Sequence, residues 1–338
     1  MKRLGSFLRR PWPPFPSHAM ILTYHRVAEL ARDPQLLAVT PSRFSEHLEL
    51  LRREWHPIGL RELAKALAAG RVPRRAVCIT LDDGYRDNLI NAKLLLERAD
   101  TPATVFVASG ALDDDVVALS DEIEALLLMA SEPPQRVRVT VGSVEQEWVV
   151  GNYTASQEAR DRGWNVLDPH DPSPRHSAYR ALHAQLHRLG GAARRSAIAT
   201  LREALRVPAK PPGRRMLTEQ EVVALAAGGS IEIGAHSVNH PKLRFLTEAE
   251  QDREISESKR RLESLIGTKV TSFAYPYGTR EDYDERTVAL VQKAGFELAC
   301  SNFEGLITPR SPLFELPRFV VRDWDGDVLA KHLRGWAG

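Results

Sequence analysis

Short apolar runs alternate with amphipathic stretches along most of the chain. Residues 19–27 (AMILTYHRV), 76–81 (AVCITL) and 102–109 (PATVFVAS) are apolar and β-branched, and they predict buried strands. Between them, residues 40–54, 59–70 and 85–100 carry apolar positions at helical spacing, with a Thr or Ser cap at the first and Gly70 closing the second. The rhythm stops at residue 111 and resumes near 216. Helices are then expected over 217–229, 247–267 and 284–295, and strands over 230–237, 270–278, 296–301 and 316–324. Repeated strand-then-helix units imply parallel strands with helical crossovers. The expected fold is α/β with about seven parallel strands, as a (β/α)-barrel or an open doubly wound sheet. Either gathers ligands at the carboxyl ends of its strands.

The interruption has a different texture. Residues 135–151 alternate around Gly142-Ser143 like a β-hairpin, and 177–205 are helical with a break at Gly190-Gly191. The stretch 111–215 reads as a large α+β insertion. It splits a barrel domain made of 18–110 and 216–338, and residues 1–17 form a basic tail.

Composition narrows the function classes. The chain has 338 residues, 43% hydrophobic and 27% charged, as expected of a globular protein. A formal net charge of +2 gives no global electrostatic case for nucleic acid. Cys78 and Cys300 lack metal-ligand spacing and read as buried thiols. The basic start lacks the apolar core of a secretory signal, and no apolar run reaches membrane-spanning length. A cytoplasmic location is therefore expected. The tail is expected to be disordered, with peripheral contact to an anionic membrane as the lesser alternative.

The candidate chemistry lies at the strand ends. These carry His25, then Asp82-Asp83, then His236 with His240 four residues on, then Tyr275 to Gly278, then Arg322-Asp323-Trp324. A structural role covers any one of these but covers the convergence poorly. Two imidazoles at i and i+4 beyond a strand suit one cation, completed by a carboxylate. A second carboxylate then lies within reach of an activated water, as a general base. The bland alternative is an Asp-Gly turn with one capping carboxylate.

The motifs ITLDDGYRDN, HSVNHPKL and FAYPYG, in this order, resemble those of the polysaccharide deacetylases, carbohydrate esterase family 4. The resemblance spans about 18–110 and 216–325. It implies a distorted (β/α)-barrel that removes N- or O-acetyl groups from sugars with a divalent metal, zinc foremost. Asp82 would be the base, and Asp83, His236 and His240 the metal ligands. The Tyr277 backbone N–H would steady the oxyanion. Many members carry an arginine two residues before the proline of the third motif. Here that residue is Ala274, so Arg318 is the candidate substitute, and Asp323 with Trp324 resembles a fourth motif. The general acid falls to His25, which some branches carry on the first strand, or to His332 near the C-terminus; His25 is preferred. His170, His176, His183 and His187 of the insertion read as an ordinary amphipathic stretch rather than a second metal site. The insertion is expected to act as a lid or specificity element. The expected partner is an N-acetylated sugar, as an oligosaccharide, glycolipid or cell-envelope precursor. A ureide or cyclic imide hydrolase and a non-catalytic sugar-binding relative are the alternatives.

Overall fold

A computed structural model describes residues 18–112, 116–130, 134–142, 144–151, 154–207 and 215–337. The basic tail, Ser143 of the hairpin turn and most of the loop 207–215 lie outside the described residues. The main sheet has seven parallel strands: β1 (Ala19–Tyr24), β2 (Ala76–Leu81), β3 (Ala103–Val107), β4 (Ile231–Ala235), β5 (Ser272–Ala274), β6 (Leu298–Cys300) and β7 (Phe319–Val320). Their order is β6-β5-β4-β3-β2-β1-β7, and the short strand His56–Pro57 also pairs with β2. The sheet curls. A parallel bridge from Cys300 of β6 to Leu316, just before β7, brings its two edges together. This is the distorted (β/α)-barrel that the family resemblance implies, and one of the two folds that the strand-helix rhythm allows.

Every residue of β1 and β2 is buried, as in sheets covered on both faces. Alternation sorts them between two cores. Ile21, Cys78, Phe106, Ala274 and Cys300 fill the barrel interior with Leu60 and Leu63 of the helix Leu60–Ala68. Met20, Leu22, Val77 and Ile79 face outward, packing with Phe44, Leu51, Leu96 and Ile255. Gly234 is required at the crowded centre: a Cβ there would lie 2.3 Å from Phe106 Cδ1.

Several elements are shorter than their patterns predict, and in two of them the structure shows the cause. The stretch 85–100 forms a π-helical turn, Asn88–Ala92, before the α-helix Lys93–Arg98. Its entry is drawn toward the chain after β1, where Asp87 accepts from Val27 N–H and Asn88 donates to His25 C=O. The last strand keeps only Phe319–Val320, because Pro317 lacks an N–H and Arg318 N–H turns to Phe303 C=O.

Residues between Ile123 and Leu205 build a core of their own, with Val137, Val139, Trp164, Tyr179 and Leu201 at its centre. The hairpin Arg136–Val141 and Val144–Val149 packs there through its buried alternate valines. The helices Pro174–Leu186 and Gly191–Leu205 flank the break seen in the sequence. This unit sits over the carboxyl ends of the strands.

Candidate metal centre and active site

The parallel register lines up the strand ends. Tyr24 pairs with Leu81, Leu81 with Val105, and Val107 with Ala235. The residues that follow therefore share one rim. Asp83 leaves β2 at φ 76°, and Ser237 and His240 leave β4 at φ 62° and 54°. Non-glycine residues rarely adopt this left-handed region, and such strain gathers where the surrounding structure fixes it for a purpose. Gly84 also has positive φ, and a Cβ there would meet Val107 Cγ1 at 3.1 Å.

Asp83 Oδ1 lies 3.5 Å from His236 Nε2 and 3.3 Å from His240 Nε2, and the two Nε2 atoms are 3.1 Å apart. His236 Nδ1 is 2.8 Å from Ala274 C=O. A carbonyl only accepts, so Nδ1 carries a proton, and it is Nε2 that faces the cluster and can offer a lone pair to a cation. Burial pushes the His240 imidazole down to about 3. For His236 burial also lowers the pKa, but Asp83 and Asp82 outweigh it and raise it. Burial raises both carboxyls, but the Arg318 charge chiefly reverses this for Asp82, and the surrounding imidazoles, His240 first, reverse it for Asp83. Two imidazole nitrogens and a carboxylate oxygen converging on one point fit a divalent cation of the zinc type.

Asp82 is held separately. The buried Arg318 donates Nη1 to Oδ1 at 2.8 Å and Nη2 to Oδ2 at 2.7 Å. Its Nε donates to Ser301 C=O at 2.7 Å. Such a fork fixes the carboxylate plane as well as its charge. Asp82 Oδ2 lies 3.9 Å from His236 Nε2, beside the cluster and outside its ligand set.

A cavity of about 820 Å³ opens over these groups, lined by His25, Asp82, Asp83, His236, His240 and Tyr277. His25 makes no side-chain hydrogen bond to a described residue. Burial lowers its pKa, and the Asp83 and Asp82 charges partly oppose this. Tyr277 sits at φ 62°, and its backbone N–H donates to no acceptor among the described residues. Two sequence candidates are not brought to the cavity. Asp323 accepts Thr40 N–H and hydroxyl at 2.8 and 3.0 Å, and so holds the start of the helix Pro41–Glu54. The chain turns at Arg322–Trp324, which leaves Arg322 on the cavity and Asp323 on the outside. His332 stacks on Trp324 at 4.0 Å, away from the lining.

The insertion supplies the facing wall, which the sequence reading did not resolve into residues. Of its histidines, His170 is exposed and His176 packs on Trp164. His183 and His187 reach the cavity, with their Nε2 atoms 2.9 Å apart, and His187 Nδ1 pairs with the Tyr277 hydroxyl. Their i, i+4 spacing was the visible signal, and its use is contact with the rim. Arg194 and Arg202 also line this wall.

The family described as polysaccharide deacetylase matches residues 182–299. Asp82 and Asp83 lie outside that stretch and join it through the geometry above. YxkH of Bacillus subtilis, named for the polysaccharide deacetylases, is 28% identical over 105 residues, 31% of this chain and 36% of that protein. A poly-beta-1,6-N-acetyl-D-glucosamine N-deacetylase of Escherichia coli is 26% identical over 126 residues, 36% of this chain and 18% of that protein. The matches thus span about a third or less of these curated relatives. The Streptococcus pyogenes deacetylase PplD, solved with acetate, superposes with a TM-score of 0.58 at 17% identity, covering 94% of this chain and 98% of that one.

Proposed function

We propose that the chain, which matches the polysaccharide deacetylase family over residues 182–299, is a metal-dependent hydrolase removing acetyl groups from an N-acetylated sugar. The observation that carries this reading is the separation of roles between adjacent carboxylates. Asp83 converges with His236 and His240, while Asp82 is clamped apart by Arg318. A ligand set alone would serve a structural ion; a second, oriented base beside it suits hydrolysis.

Asp83, His236 and His240 would hold the cation, zinc foremost. Bound there, it would supply Lewis acidity to the acetyl carbonyl and to water. Asp82, ionised and oriented by Arg318, accepts the proton of the attacking water. The Tyr277 N–H donates to the carbonyl oxygen as negative charge develops on it. His25, across the cavity, delivers a proton to the departing sugar amine. His25 enters that step as the imidazolium and leaves it neutral, while Asp82 keeps the proton taken from water; burial works against the charged imidazole, and the Asp83 and Asp82 charges favour it. The name of the Escherichia coli relative supports an N-acetylated sugar as substrate.

The test is acetate release from N-acetyl-hexosamine oligomers, measured with metal content. Asp83→Asn is expected to lose the metal. Asp82→Asn is expected to keep it and lose about 10²–10⁴-fold in turnover. Metal without acetate release from any sugar would move the reading to a non-sugar amide, and a wild-type protein that binds no metal would end it.

A further inference from the structure

The loop that carries both histidines, 236–240, lies beyond β4 with two residues at positive φ, and its backbone groups need partners from outside. On the barrel side Glu254 takes the donors. Its Oε2 accepts from Val238 N–H and Asn239 N–H at 2.9 and 2.7 Å, and its Oε1 accepts from Asn239 Nδ2 at 2.7 Å. On the other side the carbonyls point at the insertion. Arg194 Nη1 donates to Asn239 C=O at 2.7 Å and to His240 C=O at 3.3 Å, and Nη2 also reaches His240 C=O at 3.3 Å. The rest of the guanidinium is anchored in its own unit, by Nε to Leu186 C=O and Nη2 to Leu189 C=O.

This arginine is 7% exposed, and its hydrogen bonds among the described residues all go to backbone carbonyls. Burial pulls its pKa down to about 10. Desolvating a cation to bond only carbonyls is costly, and an uncharged residue would pack between two units more cheaply. Two further contacts press on the same loop. Lys242 N–H donates to His187 C=O at 3.0 Å. Gly191, first residue of the helix that carries Arg194, lies so close that a Cβ there would stand 2.6 Å from Asn239 Cγ.

We propose that the insertion sets the metal-ligand loop, with Arg194 as the positioning residue that fixes His240 from outside the barrel. The inference rests on the metal-centre reading given above. The centre is then shared between two units of the chain: one contributes the ligands and the other holds their backbone.

The experiment is zinc affinity, by competition with a fluorescent chelator, on the full chain. Arg194→Met should weaken zinc binding by about 10- to 100-fold, the range seen when residues supporting a ligand are removed. Arg194→Lys should fall between it and the wild type. Gly191→Ala, which disturbs the loop without touching the guanidinium, should also weaken binding and keeps the test open if Arg194→Met does not fold. Leu201→Ala, in the insertion's own core, is the stability control and should keep wild-type affinity despite a lower melting temperature. Wild-type affinity in both Arg194→Met and Gly191→Ala would overturn the positioning role while leaving the metal centre intact. Equal losses in Arg194→Met and Leu201→Ala would reduce the role to stability and overturn it too. A wild-type chain that binds no zinc would remove both the centre and its support.

Discussion

At the scale of single residues the site is a set of unequal pairs. Asp82 and Asp83 are neighbours in sequence, yet one is forked by an arginine and the other faces two imidazoles. Arg318 decides that difference. Its charge holds the Asp82 carboxyl below the usual range against the opposing pull of burial. Removing it leaves a buried carboxylate unpaired, and the carboxyl pKa then rises. Arg318→Met is therefore expected to cut kcat/KM by about 100-fold, in the range of a lost general base. Because the base then protonates at higher pH, the acid limb of the kcat/KM profile should move upward. Arg318→Lys should recover part of the rate, since an ammonium restores charge without the fork. The paired carboxylates and paired histidines were legible in the sequence because each lies within one turn of chain. Arg318 meets Asp82 across 236 residues, so only the position of Ala274 hinted that an arginine must arrive from elsewhere.

At the scale of elements, the strand rhythm was legible because β1 and β2 are buried on both faces and read as unbroken apolar runs. The π-helical turn was not, because its cause is tertiary: Asp87 and Asn88 bond the chain after β1. The helix Glu219–Ala226 shows the opposite case, a local signal with a longer reach. Thr218 and Glu221 form a capping box, a pattern of local spacing. Glu221 also pairs with Arg215, at the exit of the insertion, and with Arg86, three residues after Asp83. Burial opposes ionisation, but the two arginines outweigh it and draw the Glu221 pKa down to about 2. A carboxylate with a depressed folded-state pKa stabilises above its unfolded value and loses that contribution as pH falls. Glu221→Gln should lower the melting temperature by about 2 °C at pH 7. The gap between variant and wild type should shrink below about pH 4.5 and close near pH 2. A gap that persisted unchanged at pH 2 would assign the effect to the cap geometry alone.

At the scale of the molecule, the barrel and the inserted unit must be held in register for the cavity to exist, and no motif announced how. The insertion's polar contacts are spread over ordinary helices, so their partners become visible only in three dimensions. Arg26 is the deepest of these links. It follows His25 directly, is 2% exposed, and donates to Asp87 at 3.0 Å and to Asp121 at 2.9 Å, with its guanidinium 4.3 Å from the Tyr85 ring. Asp87 belongs to the segment leaving the Asp-Asp turn, and Asp121 to the first turn of the insertion's first helix, Leu119–Leu127. One cation thus ties together the acid candidate's strand, the base's loop and the inserted unit. A buried pair broken on one side costs about 3–5 kcal/mol, because the partner's charge stays behind. Arg26→Met should therefore lower stability by about that amount in denaturant unfolding at pH 7. Burial already raises the Asp87 carboxyl above its usual range, and losing the arginine raises it further. The variant's deficit should accordingly narrow in mild acid, where protonation removes the stranded charge, whereas loss of simple packing would be insensitive to pH. Adding Asp87→Asn to Arg26→Met should restore part of the stability at pH 7. If the double variant were no more stable than Arg26→Met, the link to Asp87 would be one of shape rather than charge.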